Sequence, residues 1–182
     1  PGMTVIVPCD YNQTKAATLA LGDHHGPAYL RFGRPSWPIF MAPDRPFTIG
    51  KADKLVDGKD VSIFACGHMV WQAIEAEAAL AEKGVSAEVI NIHTIKPLDV
   101  QAVLESVQKT RCVVTCEEHQ VNGGLGDSIA QVLGRHYPAP IEMVAVNDSF
   151  GESGTPTQLL KKYGLAPENI VDAVQKVLVR KK

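Results

Sequence analysis

Hydrophobic positions fall into two regimes along the chain. From Val61 onward, short continuous apolar runs alternate with stretches of helical periodicity. Val61–Cys66, Ala87–Ile92, Arg111–Cys116 and Ile141–Val146 read as strands, and their lack of polar alternation fits strands buried on both faces, as parallel strands are. Between them the period changes. A helix to about Lys83 carries Trp71, Ile74, Ala78 and Ala81 on one stripe and is stopped by Gly84. Pro97 and Asp99 open a second helix, in which Val100, Val103, Leu104 and Val107 follow the i, i+3, i+4, i+7 spacing. Leu125, Ile129, Val132 and Leu133 mark a third, and Pro156 and Pro167 stand near the first turns of two more. Strands separated by helices imply successive βαβ units. The expected fold class is therefore α/β, a three-layer α/β/α domain with a mostly parallel sheet over residues 58–182.

The first 57 residues behave differently. Val5–Val7 reads as a short strand closed by Pro8-Cys9-Asp10, and Asn12–Leu21 as a helix that Asp10 or Asn12 can cap. Ala28–Phe32 reads as a buried strand that delivers Arg31 and Arg34 to its C-terminal end, where Pro35 stops it. One βαβ unit is too little for a domain, so residues 1–40 read as the end of a second α/β domain. Prolines at 35, 38, 43 and 46 make residues 41–57 a linker, with an edge strand expected at Phe47–Gly50 and a turn at Val56–Asp60. A start at Pro1 reads as the middle of a longer protein.

Composition narrows the function classes. With 45% hydrophobic and 21% charged residues the chain has globular, not disordered, character. A net charge of −2 provides no broad positive field, so neither nucleic acid nor an anionic membrane is an expected partner. The basic end, Arg180-Lys181-Lys182, reads as a solvated tail. No apolar run approaches a membrane span and no secretion signal opens the chain. Cys9, Cys66, Cys112 and Cys116 have no metal-finger spacing and read as reduced, structural cysteines, which places the expected setting in the cytoplasm.

Several short segments carry chemistry. Arg31 and Arg34 are either surface charges or an anion site at the edge of an α/β sheet. Gly123-Gly124-Leu125-Gly126 is a tight helix entry or a phosphate cradle. Glu117-Glu118-His119 is a polar strand end or an acid–base or metal-binding cluster. The glycines around Ser153 have the wrong spacing for a nucleophile elbow, and His68 has no partner identifiable in the sequence.

In their order, these segments resemble one family. Val5-Ile6-Val7-Pro8-Cys9-Asp10, Tyr29-Leu30-Arg31-Phe32-Gly33-Arg34-Pro35, Asn91-Ile92-His93-Thr94-Ile95-Lys96-Pro97-Leu98-Asp99, Glu117-Glu118-His119, Gly123-Gly124-Leu125-Gly126 and the stretch from Gly154-Thr155-Pro156 to Lys162-Tyr163-Gly164-Leu165 are together similar to the thiamine diphosphate enzyme transketolase, from the end of its pyrimidine-binding domain through its C-terminal domain. Deoxyxylulose-5-phosphate synthase and the beta chains of 2-oxo-acid dehydrogenases share the pattern more weakly. The resemblance implies substrate contacts at Asp10, beside the donor sugar's reacting carbonyl, and at Arg34, on the sugar phosphate. It implies no catalytic residue here and a C-terminal domain concerned with assembly. The glutamate that polarises the aminopyrimidine ring and the Gly-Asp-Gly to Asn motif for magnesium and diphosphate do not occur; Asp57-Gly58 lacks the rest of that motif. The expectation is therefore a portion of a transketolase that moves two-carbon ketol units between sugar phosphates, without the cofactor on this chain alone, partnered by the remainder of the enzyme and forming a homodimer. The alternatives are a beta subunit of a 2-oxo-acid dehydrogenase or a deoxyxylulose-phosphate synthase-like enzyme, and, from another class, a non-catalytic dimerisation or regulatory module of the same fold.

Overall fold

The structure, a computed structural model, describes residues 1–181. In chain order the first elements are β1 (Thr4–Ile6), α1 (Tyr11–Gly22), β2 (Ala28–Leu30), β3 (Asp53–Val56), β4 (Val61–Ala65), α2 (Met69–Ala81), β5 (Ala87–Asn91) and β6 (Thr94–Lys96). There follow α3 (Val100–Thr110), β7 (Val113–Gln120), α4 (Leu125–His136), β8 (Ile141–Val146), α5 (Pro156–Lys162) and α6 (Pro167–Arg180).

The larger sheet has five strands in the order β3-β5-β4-β7-β8. Its last four pair in parallel, while β3 runs antiparallel on the β5 edge. Every residue of β4 and β5 is buried, which is why those segments carry no polar alternation. One face packs against α2 and α6, the other against α3 and α4, giving the three-layer α/β/α fold.

Several local expectations change. The buried stripe of α2 is Met69, Ala73, Ala76 and Leu80, not Trp71, Ile74, Ala78 and Ala81. That helix is apolar almost all round, so spacing alone leaves its rotation open; Trp71 instead meets Phe40 at a ring separation of 5.6 Å. On α3, Val100 is exposed while Ser106 and Thr110 are buried, because their hydroxyls meet Ser62 at 2.5 Å each. The edge strand lies at Asp53–Val56 and not at Phe47–Gly50. The basic tail is also pinned: Arg180 donates to the Ile141 carbonyl at 3.1 Å and Lys181 to the Asp60 carbonyl at 2.9 Å, while Lys182 lies outside the described residues.

The smaller sheet, β2-β1-β6, joins the two parts of the chain. Strand β1 pairs in parallel with β2 and antiparallel with β6, so a strand from the second part completes the sheet of the first. Beyond β1, Val7 donates its N–H to the His93 carbonyl at 2.7 Å and accepts from the Gly67 N–H at 3.1 Å. Gly67 has φ of 56°, and a Cβ there would meet Val7 Cγ1 at 2.9 Å, so both backbone conformation and close approach call for glycine. Beside this junction, Gln13 Oε1 accepts from Cys9 N–H at 2.9 Å and Asn91 Nδ2 at 3.0 Å, and its Nε2 donates to Asp53 at 3.0 Å. Residues 41–57 are tied into the same seam, with Gly50 N–H on Thr94 Oγ1 at 3.1 Å and Ala52 N–H on Asp99 at 3.1 Å. Strand β2 is not buried: Tyr29 is 53% exposed, because among the described residues only one neighbouring strand covers it.

At the start of α4, the Gly124 cap has no side chain to offer. Glu117 supplies the acceptor from β7, taking the N–H groups of Leu125 at 2.7 Å and Gly126 at 2.8 Å. A carboxylate therefore satisfies two orphan donors and complements the helix dipole. All four cysteines are buried and free.

These contacts make two outcomes measurable. Glu117→Ala orphans two buried N–H groups and is expected to destabilise the fold by about 1–3 kcal/mol per donor, read as a lower urea midpoint, with Glu117→Gln losing less because it keeps an acceptor. His93 is buried against Phe47, with its Nδ1 on Thr94 Oγ1 at 3.0 Å, and burial pushes its pKa from 6.5 down to about 4 although Asp53 pulls the other way. The unfolded chain thus binds more protons between those pH values, so stability is lost as pH falls from about 6.5 towards 4. His93→Gln should flatten that part of the stability–pH curve in urea titrations.

Candidate functional site

An open cleft lies where the C-terminal ends of β1, β2 and β4 meet the late part of β7, the edge at which ligands collect in open α/β sheets. It consists of two adjoining hollows of about 160 and 430 Å³ that share Pro8, Phe32, Gly33 and His68. The smaller is closed by Arg31 and Glu118, the larger by Asp10, Pro35 and Trp37.

Charge is organised in the smaller hollow. The Arg31 guanidinium donates to the backbone carbonyl of Glu118. His68 Nδ1 lies 3.3 Å from Glu118 Oε2, and its ring meets Trp37 with centroids 4.6 Å apart. The hydrogen bond from His68, helped by the nearby Arg31 charge, holds the Glu118 carboxyl below its ordinary pKa against the opposing effect of burial. Arg31 is thus committed to the second part of the chain.

Arg34 differs. It is exposed, it stands between two cleft-lining residues, Gly33 and Pro35, and among the described residues it has no hydrogen-bond or ion-pair partner. Asp10 lines the larger hollow, but its carboxylate is already engaged. One oxygen accepts from Gln13 N–H at 2.8 Å as the cap of α1, and the other accepts from Phe40 and Met41 N–H at 2.9 and 2.8 Å. Three backbone donors make it a clamp between α1 and the chain after the cleft.

Of the remaining candidates, Glu117 and His119 come within 3.9 Å of each other, yet Glu117 is occupied by α4. The same contact fills the N-terminus that a phosphate would need. Among the described residues no three His, Cys, Asp or Glu side chains converge where a metal could sit. The diphosphate and magnesium end of thiamine diphosphate has no fit to these residues. No helix among them is long and apolar enough to cross a membrane.

Sequence reasoning leaves His68 without a partner and does not single out Trp37. The available signal is positional: Gly67-His68 follows β4 and Glu118 lies late on β7, the adjacent parallel strand, so their side chains arrive at one sheet edge.

Comparison with known proteins places this geometry in a family. Residues 50–170 match the family described as Transketolase, C-terminal domain. The whole chain is 46% identical to 56% of a 6-deoxy-6-sulfo-D-fructose transketolase subunit of Clostridium sp. (strain MSTE9). It is 36% identical over 93% of its length to 54% of an apulose-4-phosphate transketolase subunit of Phocaeicola vulgatus. The chain thus spans about half the length of these curated relatives. A solved structure described as a split gene transketolase, inactive beta4 tetramer, superposes on all of the chain and 60% of its own with a TM-score of 0.97 at 45% identity. The βαβ piece, the three-layer domain behind it and these matches lead to one assignment: the chain belongs to the transketolase family and carries that family's C-terminal domain.

Proposed function

We propose that the chain forms part of a thiamine diphosphate-dependent enzyme that moves a two-carbon ketol unit between a ketose phosphate and an aldose phosphate, and that it supplies the anion-binding rim of the sugar cleft. The observation that carries this reading is Arg34, an exposed guanidinium that has no partner among the described residues and stands beside the cleft at the C-terminal ends of the strands. A planar five-donor fork suits a terminal phosphate, and anchoring that remote group orients a flexible sugar at its reacting carbon. The names of two relatives support an anionic group on the sugar, since one specifies a sulfo-sugar and the other a sugar phosphate.

In this reading the cofactor supplies the carbanion chemistry and is held by residues outside this chain's cleft. Asp10 acts as the clamp that fixes the cleft floor, through its three backbone donors. The remainder of the enzyme and a second copy of the chain are the partners. Exposed apolar side chains around β2 and the cleft, Met3, Tyr29, Phe32 and Ile39, support a partner surface there. Free, buried cysteines accord with a cytoplasmic setting.

In the complete enzyme, Arg34→Ala is expected to weaken use of phosphorylated sugars by about 2–4 kcal/mol in kcat/KM, the scale of a charge pair losing one partner. Equal loss with an unphosphorylated sugar would sink the assignment. Calorimetric titration of the isolated chain with thiamine diphosphate and magnesium is expected to give no binding, and micromolar affinity would place a cofactor site on these residues.

A further inference from the structure

The segment that carries Arg34 has little support from its own sheet. Strand β2 ends at Leu30, it has a single neighbour, and its last ladder contact beyond that point is Arg31 N–H on the Ile6 carbonyl at 2.9 Å. Phe32, Gly33 and Arg34 belong to no strand, and all three are exposed. A loop so placed would leave the guanidinium free to wander unless something else fixed it.

The constraint comes from the second part of the chain. Arg31, on one side of the loop, is tied to the Glu118 carbonyl on β7. Gly33 lies directly against the His68 ring, since a Cβ built there would stand 1.9 Å from His68 Cε1 and 2.6 Å from Nε2. The ring is itself held on two further sides. Its Nδ1 meets Glu118 Oε2 at 3.3 Å, and Trp37, three residues beyond Arg34, faces it at 4.6 Å with an interplanar angle of 37°. His68 is therefore wedged between Gly33, Trp37 and Glu118, with its side chain only 11% exposed, and the loop bearing Arg34 wraps around it.

We infer that His68 and Glu118 are positioning residues for the anion-binding Arg34, so that the C-terminal domain, through the start of α2 and the late part of β7, sets where a sugar's terminal anion is held. This rests on the reading of Arg34 given above. The ligand class is the same, a sugar bearing a terminal phosphate, and neither His68 nor Glu118 touches the reacting atoms. Removing the wedge leaves the guanidinium in place chemically but releases it in space. The loss should fall on capture of the anionic group and not on turnover.

The test is steady-state kinetics of the complete enzyme with a phosphorylated donor and its unphosphorylated counterpart. His68→Ala is expected to raise KM for the phosphorylated donor about tenfold or more, the scale of a displaced positioning group, with kcat and the unphosphorylated KM nearly unchanged. His68→Asn, which returns an N–H at the Nδ1 position, should recover part of the loss. Gly33→Ala should reproduce the His68→Ala effect by pushing the ring aside, yet should add nothing in the His68→Ala background. Glu118→Gln is a second route should His68→Ala fail to assemble, because Glu118 is 47% exposed and the Arg31 contact is to its backbone. It should give a smaller rise of the same pattern. If Arg34→Ala abolishes phosphate discrimination while the His68 and Glu118 variants keep the wild-type KM, or raise both KM values alike, the positioning role is overturned and the Arg34 reading stands. If Arg34→Ala leaves discrimination intact, the anchor itself is wrong and this inference falls with it.

Discussion

Two backbone hydrogen bonds of Val7 hold the architecture of the cleft. One runs to the carbonyl of His93 just beyond β5, the other from the N–H of Gly67 just beyond β4, and both targets lie at the C-terminal edge of the main sheet. Parallel strands end with unpaired donors and acceptors at that edge, and here a passing segment satisfies two of them. The consequence is geometric. The chain after β1 crosses the end of the second sheet, with Val7 packed in the core on the α3–α4 side and Cys9 in the core on the α2–α6 side. The loop after β2 is thereby carried to His68 and Glu118.

Buried polar groups tie this junction together beside its apolar contacts. Gln13, Asn91 and Asp53 form a connected set beneath it, and Asp10 closes the other side by accepting from three backbone N–H groups. Such a network favours one arrangement, since each group left unpaired in a low-dielectric seam costs more than a neutral contact gains. That specificity matters where two parts of a chain must keep one relative placement to form a cleft between them. Glu117 follows the same rule, filling with its own carboxylate a helix N-terminus that would otherwise attract an anion.

The parallel domain is legible because its strands are unbroken apolar runs and its helices carry clear punctuation. Ile141–Val146 and the helices opened by Pro156 and Pro167 fall where the pattern places them. Legibility fails where local pattern and tertiary setting part company. The apolar surface of α2 is too broad to reveal which stripe faces the sheet. Strand β6 has no signal in the sequence because its three residues, Thr94 to Lys96, pair with a strand far away in the chain and have no period of their own. Strand β2 reads as buried because aromatic and aliphatic residues normally are, yet its outer edge lies open.

The sequence by itself determined the α/β class, the order of the βαβ units, the free cysteines and a strand end that carries two arginines, since all of these depend on local periodicity, propensity and residue type. It also led to the family, through short motifs kept in order along nearly the whole chain. The tertiary structure decided how the two arginines divide: Arg31 is engaged by the Glu118 carbonyl and Arg34 has no partner among the described residues, although they are three residues apart and identical in chemistry. It likewise set the Asp10 carboxylate on three backbone N–H groups at the cleft and gave His68 a partner. Each of those outcomes depends on groups 30 to 87 positions away in the chain, brought together by crossovers whose end points no local pattern encodes.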